Sequence, residues 1–327
     1  MEAPNMKVYV RTPARLHFGL IDSDGSLGRM FGGIGVGINR PNVILEAQHS
    51  ETLSIVGDQV ERVKSFVKRF CNAYNTEAKV SINVKQAIPE HVGLGSGTQL
   101  ALAVATALTK LARMKVSAQE LALAMGRAQR TGVGTTIFEK GGFVVDGGKL
   151  TKNSKGSLEG FPPVIFHRSF PEDWSFVVAV PNDKKGLAKD EEVSAFRRLT
   201  PIPTENVGSI CHLTMMKLLP SLIEHNIKDF GEALTQIQVF VGEQFAEAQG
   251  GTYCSKTVAE GVRLMQELGV YGVGQSSWGP TFYGLCQNQK EEMEIQSRVQ
   301  AFLDERVGGQ VFTAKANNKG AYIRVGV

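Results

Sequence analysis

The feature that most constrains this fold is a glycine-rich turn that runs directly into an apolar, alanine-rich helix, over Pro89 to Ala103. Closely spaced glycines let the backbone turn tightly and approach a ligand, and the hydroxyls of Ser96 and Thr98 are expected to cap the helix. The first helical N–H groups then face the turn, which predicts a phosphate site. The alternative is a tight connection that binds nothing. The predicted binding residues, called the glycine loop below, are Gly93, Leu94, Gly95, Ser96, Gly97 and Thr98.

Length and charge limit the remaining possibilities. A chain of 327 residues is long for one core, so we expect two domains. The polar region 182–204 is the candidate linker or lid, between an N-terminal domain of residues 1–181 and a C-terminal domain of residues 205–327. The net charge of +4 is spread along the chain without basic blocks. This excludes a nucleic-acid partner and favours a small anionic ligand.

Cysteine use and hydropathy predict a cytoplasmic protein with no membrane partner. The first eleven residues are polar, unlike a signal peptide, and the longest apolar stretch, Leu100 to Ala112, is interrupted by polar residues and too short to span a bilayer. The cysteines are far apart and form no CxxC pair, so we expect buried thiols in a reducing compartment. They are Cys71, Cys211, Cys254 and Cys286.

A first group of candidate functional residues follows the N-terminal strand. Arg15, His17 and Asp22 are expected on a loop, where an arginine offers a planar donor fork for phosphate and a carboxylate can hold Mg²⁺. For His17 the alternative is a core histidine whose hydrogen bonds are satisfied. Asp190 and Glu191 in the polar region are further candidate metal ligands.

Two other segments carry candidates. Ser117 and Glu120 form a capping box that predicts a helix running to about Arg130, with Arg127 near its end. Later, the turn from 271 to 280 combines flexible backbone with polar side chains and a tryptophan, and we expect it to face the glycine loop across the domain cleft. Trp278 could stack on a flat ligand, or it could be an ordinary core anchor. The candidates in this turn are Gln275, Ser276, Ser277 and Trp278.

Over nearly its whole length the chain resembles the GHMP kinase superfamily. Its glycine-rich segments follow the family order, with P-x3-G-L-G-S-x-x at Pro89 to Thr98 and a late Gly-x-Gly turn at Gly272 to Gly279. The resemblance implies an α+β, two-domain fold. The N-terminal domain would contain a left-handed β-α-β unit and the C-terminal domain would be ferredoxin-like.

The resemblance to the family's kinases is incomplete at two places. Gly132 to Lys140 lacks the aspartate that family kinases use near the acceptor hydroxyl, and Gly126 to Arg130 lacks a glutamate that commonly helps to bind Mg²⁺. The chain is more similar to the β-ribofuranosylaminobenzene 5′-phosphate synthases of methanopterin biosynthesis. The matching segments are Arg11 to Asp22, Gly141 to Gly148 and Gly274 to Pro280.

This closer resemblance implies a condensation of phosphoribosyl diphosphate with 4-aminobenzoate or 4-hydroxybenzoate, releasing diphosphate and CO2. The departing diphosphate would be stabilised by Mg²⁺, by Arg15, Arg127 and Arg130, and by the glycine loop. Trp278 and its neighbours would supply part of a slot for the benzoate. We also expect a homodimer. The alternatives are an ATP-dependent small-molecule kinase and a ligand-binding protein without catalysis.

Overall fold

The computed structural model describes residues 6–152, 157–183 and 203–326. The candidate metal ligands Asp190 and Glu191, and most of the predicted linker, lie outside these residues. The strands are β1 Lys7–Arg11, β2 Ala14–Asp22, β3 Arg29–Ile38, β4 Ile44–His49, β5 Ser54–Gly57, β6 Val80–Gln86, β7 Phe143–Asp146, β8 Lys149–Lys152, β9 Ser157–Glu159, β10 Val164–Arg168, β11 Ser175–Pro181, β12 Gly272–Gln275, β13 Phe282–Cys286, β14 Gly309–Lys315 and β15 Tyr322–Gly326.

The helices divide between the two halves of the chain. They are α1 Val60–Tyr74, α2 Ser96–Leu111, α3 Ala118–Ala124, α4 Val133–Lys140, α5 Thr204–Leu213, α6 Leu219–Ile223, α7 Ile227–Gln249, α8 Lys256–Glu267 and α9 Gln289–Asp304. A π-helical turn, Thr214–Leu218, joins α5 to α6. None of the helices in the described ranges is long and apolar enough to cross a membrane.

Two sheets form the first domain, and one of them includes β15 from the end of the chain, which the sequence boundary had left in the second domain. The first has the order β15-β1-β4-β6-β5, in which β5 and β6 are parallel and α1 connects them. The second has the order β10-β7-β3-β8-β9, with β2 paired to β3. Helix α2 is buried on nearly all sides between these sheets and its neighbouring helices, as its run of alanine and leucine requires. This burial fixes the position of the glycine loop at the start of α2.

The C-terminal half contains a four-stranded antiparallel sheet with the order β12-β13-β11-β14. Taken along the chain, β11, β12, β13 and β14 with their intervening helices give the β-α-β-β-α-β pattern of a ferredoxin-like domain, which confirms that expectation. The domain boundary needs a correction, because the strand Ser175–Pro181 pairs with Phe282–Cys286 and Gly309–Lys315. It therefore belongs to the second domain, although the sequence boundary at 182 left it in the first.

Two further expectations are corrected. The helix that begins at the Ser117 capping box ends at Ala124 and does not reach Arg130, because Gly126 and Ala128 adopt left-handed φ values of +63° and +54°. All four cysteines are free, but only Cys286 is buried and Cys211 is exposed. The expectation of four buried thiols was therefore wrong.

Candidate active site

The glycine loop leads into α2 as expected, but its hydroxyls do not cap the helix. The N-cap is Gly95, at φ +82°, and no side chain accepts a hydrogen bond there. Ser96 and Thr98 are the first and third helical residues. The N–H of Thr98 donates to the Gly95 carbonyl at 3.1 Å, whereas no acceptor within the described residues is recorded for the N–H groups of Ser96 and Gly97. The start of the helix therefore keeps donors that a ligand can use.

Arg15 holds the glycine loop in place. Its N–H donates to the Leu94 carbonyl at 3.1 Å, and its Nη1 donates to the Gly93 carbonyl at 2.7 Å. The expected loop is in fact the strand Ala14–Asp22, so Arg15, His17 and Asp22 are strand residues. Antiparallel pairing with β3, whose register shifts between His17 and Gly19, explains this correction, since only Thr12 and Pro13 separate β1 from β2. One cation of the predicted site therefore contacts the loop directly.

Two more arginines converge on Gly97 from other elements. A Cβ atom at Gly97 would lie 2.9 Å from Nη2 of Arg62 and 3.0 Å from Nη1 of Arg127. Arg62 comes from α1, and Arg127 from the segment between α3 and α4. Both guanidinium groups lie over the Phe66 ring, 5.9 Å and 5.2 Å from its centroid. Burial lowers the pKa of Arg62, an effect that the nearby carboxylate of Glu90 partly opposes.

The segment between α3 and α4 is held close to the sheet by an unusual buried carboxylate. Asp146 is fully buried, and its oxygens accept from the N–H groups of Gly132 at 2.8 Å and Gly148 at 2.9 Å. Burial outweighs these hydrogen bonds and raises the pKa of Asp146 to about 6. Gly33 on β3 allows the close approach, since a Cβ there would lie 2.9 Å from Thr131. The segment that carries Arg127 and the half-buried Arg130 is thereby anchored.

His17 lies beside this segment and is uncharged. Its Nδ1 accepts from the N–H of Gly19 at 3.2 Å, and its Nε2 lies 3.5 Å from the Thr131 hydroxyl. Burial, with a smaller contribution from the charge of Arg15, places the pKa of His17 well below its usual value. The side chain is therefore a neutral imidazole with its hydrogen on Nε2. It can donate one hydrogen bond, but it does not add positive charge to the site.

The end of the 271–280 segment, residues 275–280 and called the late turn below, contacts the glycine loop directly and does not face it across an open cleft. The Ser276 hydroxyl donates to the Gly93 carbonyl at 2.7 Å and accepts from the His17 N–H at 3.0 Å. The N–H of Ser277 donates to the His17 carbonyl at 3.1 Å. Gln275 donates to Gln249 Oε1 and to the Ser277 carbonyl. The Ser276 hydroxyl thus joins the two domains, whereas the side chain of Gln275 is hydrogen-bonded within the second domain.

Trp278 is 9% exposed and packs edge-on against Phe245, with 4.6 Å between the ring centroids. It belongs to the main hydrophobic core of the molecule. This position favours the core-anchor interpretation of Trp278. Its role as a wall of a benzoate slot stays a prediction.

The expected magnesium ligands do not assemble into a protein metal site among the residues that the structure describes. Asp22 is on β2, and its Oδ1 accepts from the N–H groups of Asp24 and Gly25 at 2.7 Å and 3.0 Å. No group of three or more His, Cys, Asp or Glu side chains within the described ranges could hold a metal ion.

The structure brings together Arg15, Arg127 and the glycine loop, as the sequence predicted. Sequence reasoning missed Arg62, Thr131 and Asp146. For Arg62 one signal was available, because it lies four residues before Phe66 on an amphipathic helix and therefore on the same side as that buried ring. A concave region of about 560 Å³ at the other end of α2, near Lys110 and Met114, contains none of the predicted site residues.

Comparison with known proteins gives consistent results for sequence and fold. Residues 61–139 match the model of the GHMP kinases N terminal domain, and residues 218–305 match that of the GHMP kinases C terminal domain. A beta-ribofuranosylphenol 5'-phosphate synthase from Archaeoglobus fulgidus is 35% identical, over 97% of this chain and 99% of the relative. A protein of the same name from Methanocaldococcus jannaschii is 33% identical, over 95% and 98%.

Among solved structures, homoserine kinase from Cytophaga hutchinsonii superimposes with a TM-score of 0.71 at 16% identity, covering 99% of both chains. At this identity the likeness concerns the fold alone. The two-domain architecture is thus that of the GHMP kinases.

Proposed function

This chain belongs to the family of the beta-ribofuranosylphenol 5'-phosphate synthases, built on the GHMP kinase fold, and from that membership we propose that it condenses phosphoribosyl diphosphate with a para-substituted benzoate. The products are diphosphate, CO2 and a ribofuranosylbenzene 5′-phosphate. The observation that carries the proposal is the convergence of Arg15, Arg62 and Arg127 on the glycine loop. A departing diphosphate needs such a concentration of positive charge.

The reaction balances without an external base. The C1–O bond of the ribose breaks and its electron pair leaves with the diphosphate. The ring carbon that bears the carboxylate forms the new C–C bond to C1. The bond to the carboxylate then breaks as CO2 leaves, and its electron pair restores the aromatic ring. The protein's tasks are therefore to position the two substrates and to stabilise the diphosphate.

The name of the relatives narrows the choice of benzoate. A ribofuranosylphenol keeps a hydroxyl on its ring, so the corresponding substrate is 4-hydroxybenzoate, while 4-aminobenzoate would give an aniline. We therefore propose 4-hydroxybenzoate as the substrate of this chain. The neutral His17 offers a single hydrogen-bond donor beside the arginines, which suits an oxygen of the ribose or of a phosphate.

Magnesium enters the proposal only as an ion carried by the diphosphate. Mg²⁺ usually keeps several waters and binds through substrate phosphates with one or two carboxylates. A dependence of turnover on added Mg²⁺, abolished by a chelator, is the expected result. The homodimer likewise stays a proposal, to be tested by the mass of the protein in solution.

The test of the proposed function uses carboxyl-labelled substrates. Pure protein with Mg²⁺ and phosphoribosyl diphosphate should release labelled CO2 from 4-hydroxybenzoate faster than from 4-aminobenzoate, together with diphosphate. Release from neither would contradict the proposal. The kinase alternative predicts instead that ATP is consumed in the absence of phosphoribosyl diphosphate, so a parallel assay with ATP and candidate alcohols separates the two.

A further inference from the structure

Arg62 and Arg127 are held close together although they carry the same charge. Each places a guanidinium nitrogen about 3 Å from the position that a Cβ atom of Gly97 would occupy, so these two nitrogens are no more than about 6 Å apart. The missing side chain of Gly97 leaves the space beneath them. Two partly desolvated cations at this separation repel each other, and an anion between them would remove that repulsion.

The orientation of Arg62 is fixed by contacts of Nη1, the guanidinium nitrogen that is not the one nearest Gly97. Nη1 donates to Gln59 Oε1 at 3.0 Å and lies 3.5 Å from a carboxylate oxygen of Glu90. Nη2 is the nitrogen nearest Gly97, and within the described part of the chain no acceptor is recorded for it. The side chain of Arg62 is 21% exposed, so solvent and ligands can reach it. Its stacking on Phe66 leaves the planar donor edge free to face a ligand.

The donors around Gly97 come from three separate elements. They are Nη2 of Arg62, the guanidinium of Arg127, and the N–H groups at the start of α2. Arg15 is placed differently, because its Nη1 is engaged with the Gly93 carbonyl and its stem covers Gly95. A set of donors spread over about 6 Å suits an anion with two linked phosphoryl groups better than a single phosphate monoester.

We propose that Arg62 and Arg127 form a clamp above Gly97 that binds the diphosphate arm of phosphoribosyl diphosphate, and not its 5′-phosphate. The inference rests on the proposed function for the identity of the substrate. It adds Arg62 to the residues that contact the reacting groups, since the oxygen that leaves C1 belongs to this diphosphate. The clamp would bind the arm in the ground state and accept the charge that develops on it as the C1–O bond breaks.

Inorganic diphosphate and ribose 5-phosphate serve as separate probes of the two arms. By isothermal titration calorimetry, Arg62→Gln should weaken the binding of inorganic diphosphate by tenfold or more and change that of ribose 5-phosphate less than twofold. Lys64→Gln removes one positive charge from the same helix at an exposed position and should change neither. Equal losses for both probes, a loss for ribose 5-phosphate alone, or no loss for either would overturn the proposal.

A second variant tests the clamp without removing a charge. Gly97→Ala places a methyl group where both guanidinium groups converge, while alanine favours the helix. It should weaken diphosphate binding about as much as Arg62→Gln and should not lower the melting temperature. Gly208→Ala is the matched control, because that glycine is on the helix Thr204–Leu213 and a Cβ there would meet nothing within 4 Å. Unchanged diphosphate binding by Gly97→Ala would contradict the clamp.

Failure of the clamp and failure of the proposed function give different results. If wild-type protein releases no CO2 from either benzoate but shows the expected pattern of diphosphate binding, the synthase function is wrong and the clamp stands as a diphosphate site. If wild-type protein turns over and Arg62→Gln binds diphosphate normally, the clamp is wrong and the function stands.

Discussion

The glycine loop and the late turn from 275 to 280 have similar compositions but opposite environments. Both combine glycines with hydroxyl side chains, and sequence reasoning assigned both to substrate binding. In the structure the start of α2 keeps backbone donors available beneath Arg62 and Arg127. In the late turn, Gln275 and Ser276 are buried and hydrogen-bonded within the protein, and Trp278 packs in the core. Composition alone therefore does not distinguish a turn that keeps donors for a ligand from a turn that forms a contact between two domains.

The difference has a physical origin. A helix start leaves N–H groups that the helix itself cannot use, so a glycine-rich turn before a helix keeps donors for a ligand. The late turn lies between the two strands Gly272–Gln275 and Phe282–Cys286 and is packed against the first domain. Its polar groups must be paired when they are buried, and here they pair with the glycine loop and with β2. Variants in the two regions should accordingly affect different properties.

The largest expected effect is on stability, in the late turn. Trp278→Ala removes a nearly buried ring and its contact with Phe245, which should lower the free energy of unfolding by about 3–5 kcal/mol. Denaturant unfolding measures the loss, and Trp278→Phe should recover part of it. A different result would contradict the contrast between the two regions: Trp278→Ala would change stability little and raise the KM for 4-hydroxybenzoate strongly, but leave the KM for phosphoribosyl diphosphate unchanged. Trp278 would then be a wall of the benzoate slot.

The next effect is on catalysis, at the glycine loop. Arg15→Ala should lower kcat/KM by a factor equivalent to about 2–4 kcal/mol, because the loop loses its hydrogen bond at Gly93 and the site loses one cation. Steady-state kinetics measure this. The control Arg40→Ala also removes an arginine that donates to a backbone carbonyl, that of Thr313, on the exposed surface. If Arg15→Ala lost stability but not activity, the loop would be only structural.

Ser276→Ala tests the contact between the two regions and should have an intermediate effect. The change leaves the buried N–H of His17 without its acceptor, at a cost of about 1–3 kcal/mol in stability. Gly93 keeps its hydrogen bond from Arg15, so kcat/KM should fall by less than about tenfold. Ser209→Ala, which removes an exposed hydroxyl bonded within its own helix, is the control for stability. A larger loss of activity than of stability would place Ser276 among the binding residues.

The smallest effect concerns pH. Because the pKa of His17 is lowered on folding, its contribution to stability is complete above about pH 6.5 and is lost as the pH falls from there towards the folded pKa. The expected slope is at most about 1.4 kcal/mol per pH unit. Asn at this position can accept from Gly19 without titrating, so His17→Asn should remove this slope.

Asp146, whose raised pKa of about 6 makes stability fall as pH rises through that value, is present in both proteins and cancels in the difference. Unfolding measured between pH 5 and 8 checks the prediction. Parallel pH dependence of wild type and His17→Asn would show that His17 does not titrate with folding.

Several parts of this molecule could be predicted from the sequence because their signals are local. The glycine loop with its apolar helix and the capping box at Ser117 both depend on residues close together in the chain. The ferredoxin-like form of the second domain was implied by the resemblance to the GHMP kinase superfamily. The resemblance carried by long motifs led to the correct family. The prediction that this helix reaches Arg130 was wrong, because it did not allow for Gly126, which readily ends a helix.

Only the tertiary structure decided which distant residues each side chain contacts. Arg62 and Arg127 are 65 positions apart in the chain and meet over Phe66 because α1 and the segment after α3 both pack beside α2. Ser276 hydrogen-bonds with Gly93 because a turn from the second domain is packed against the first. Sequence periodicity specifies which face of an element is buried, but it contains no information about which distant element covers that face. The chain itself thus determined the glycine-rich turn at the start of α2 and the two-domain fold, and packing decided which polar residues are hydrogen-bonded within the protein.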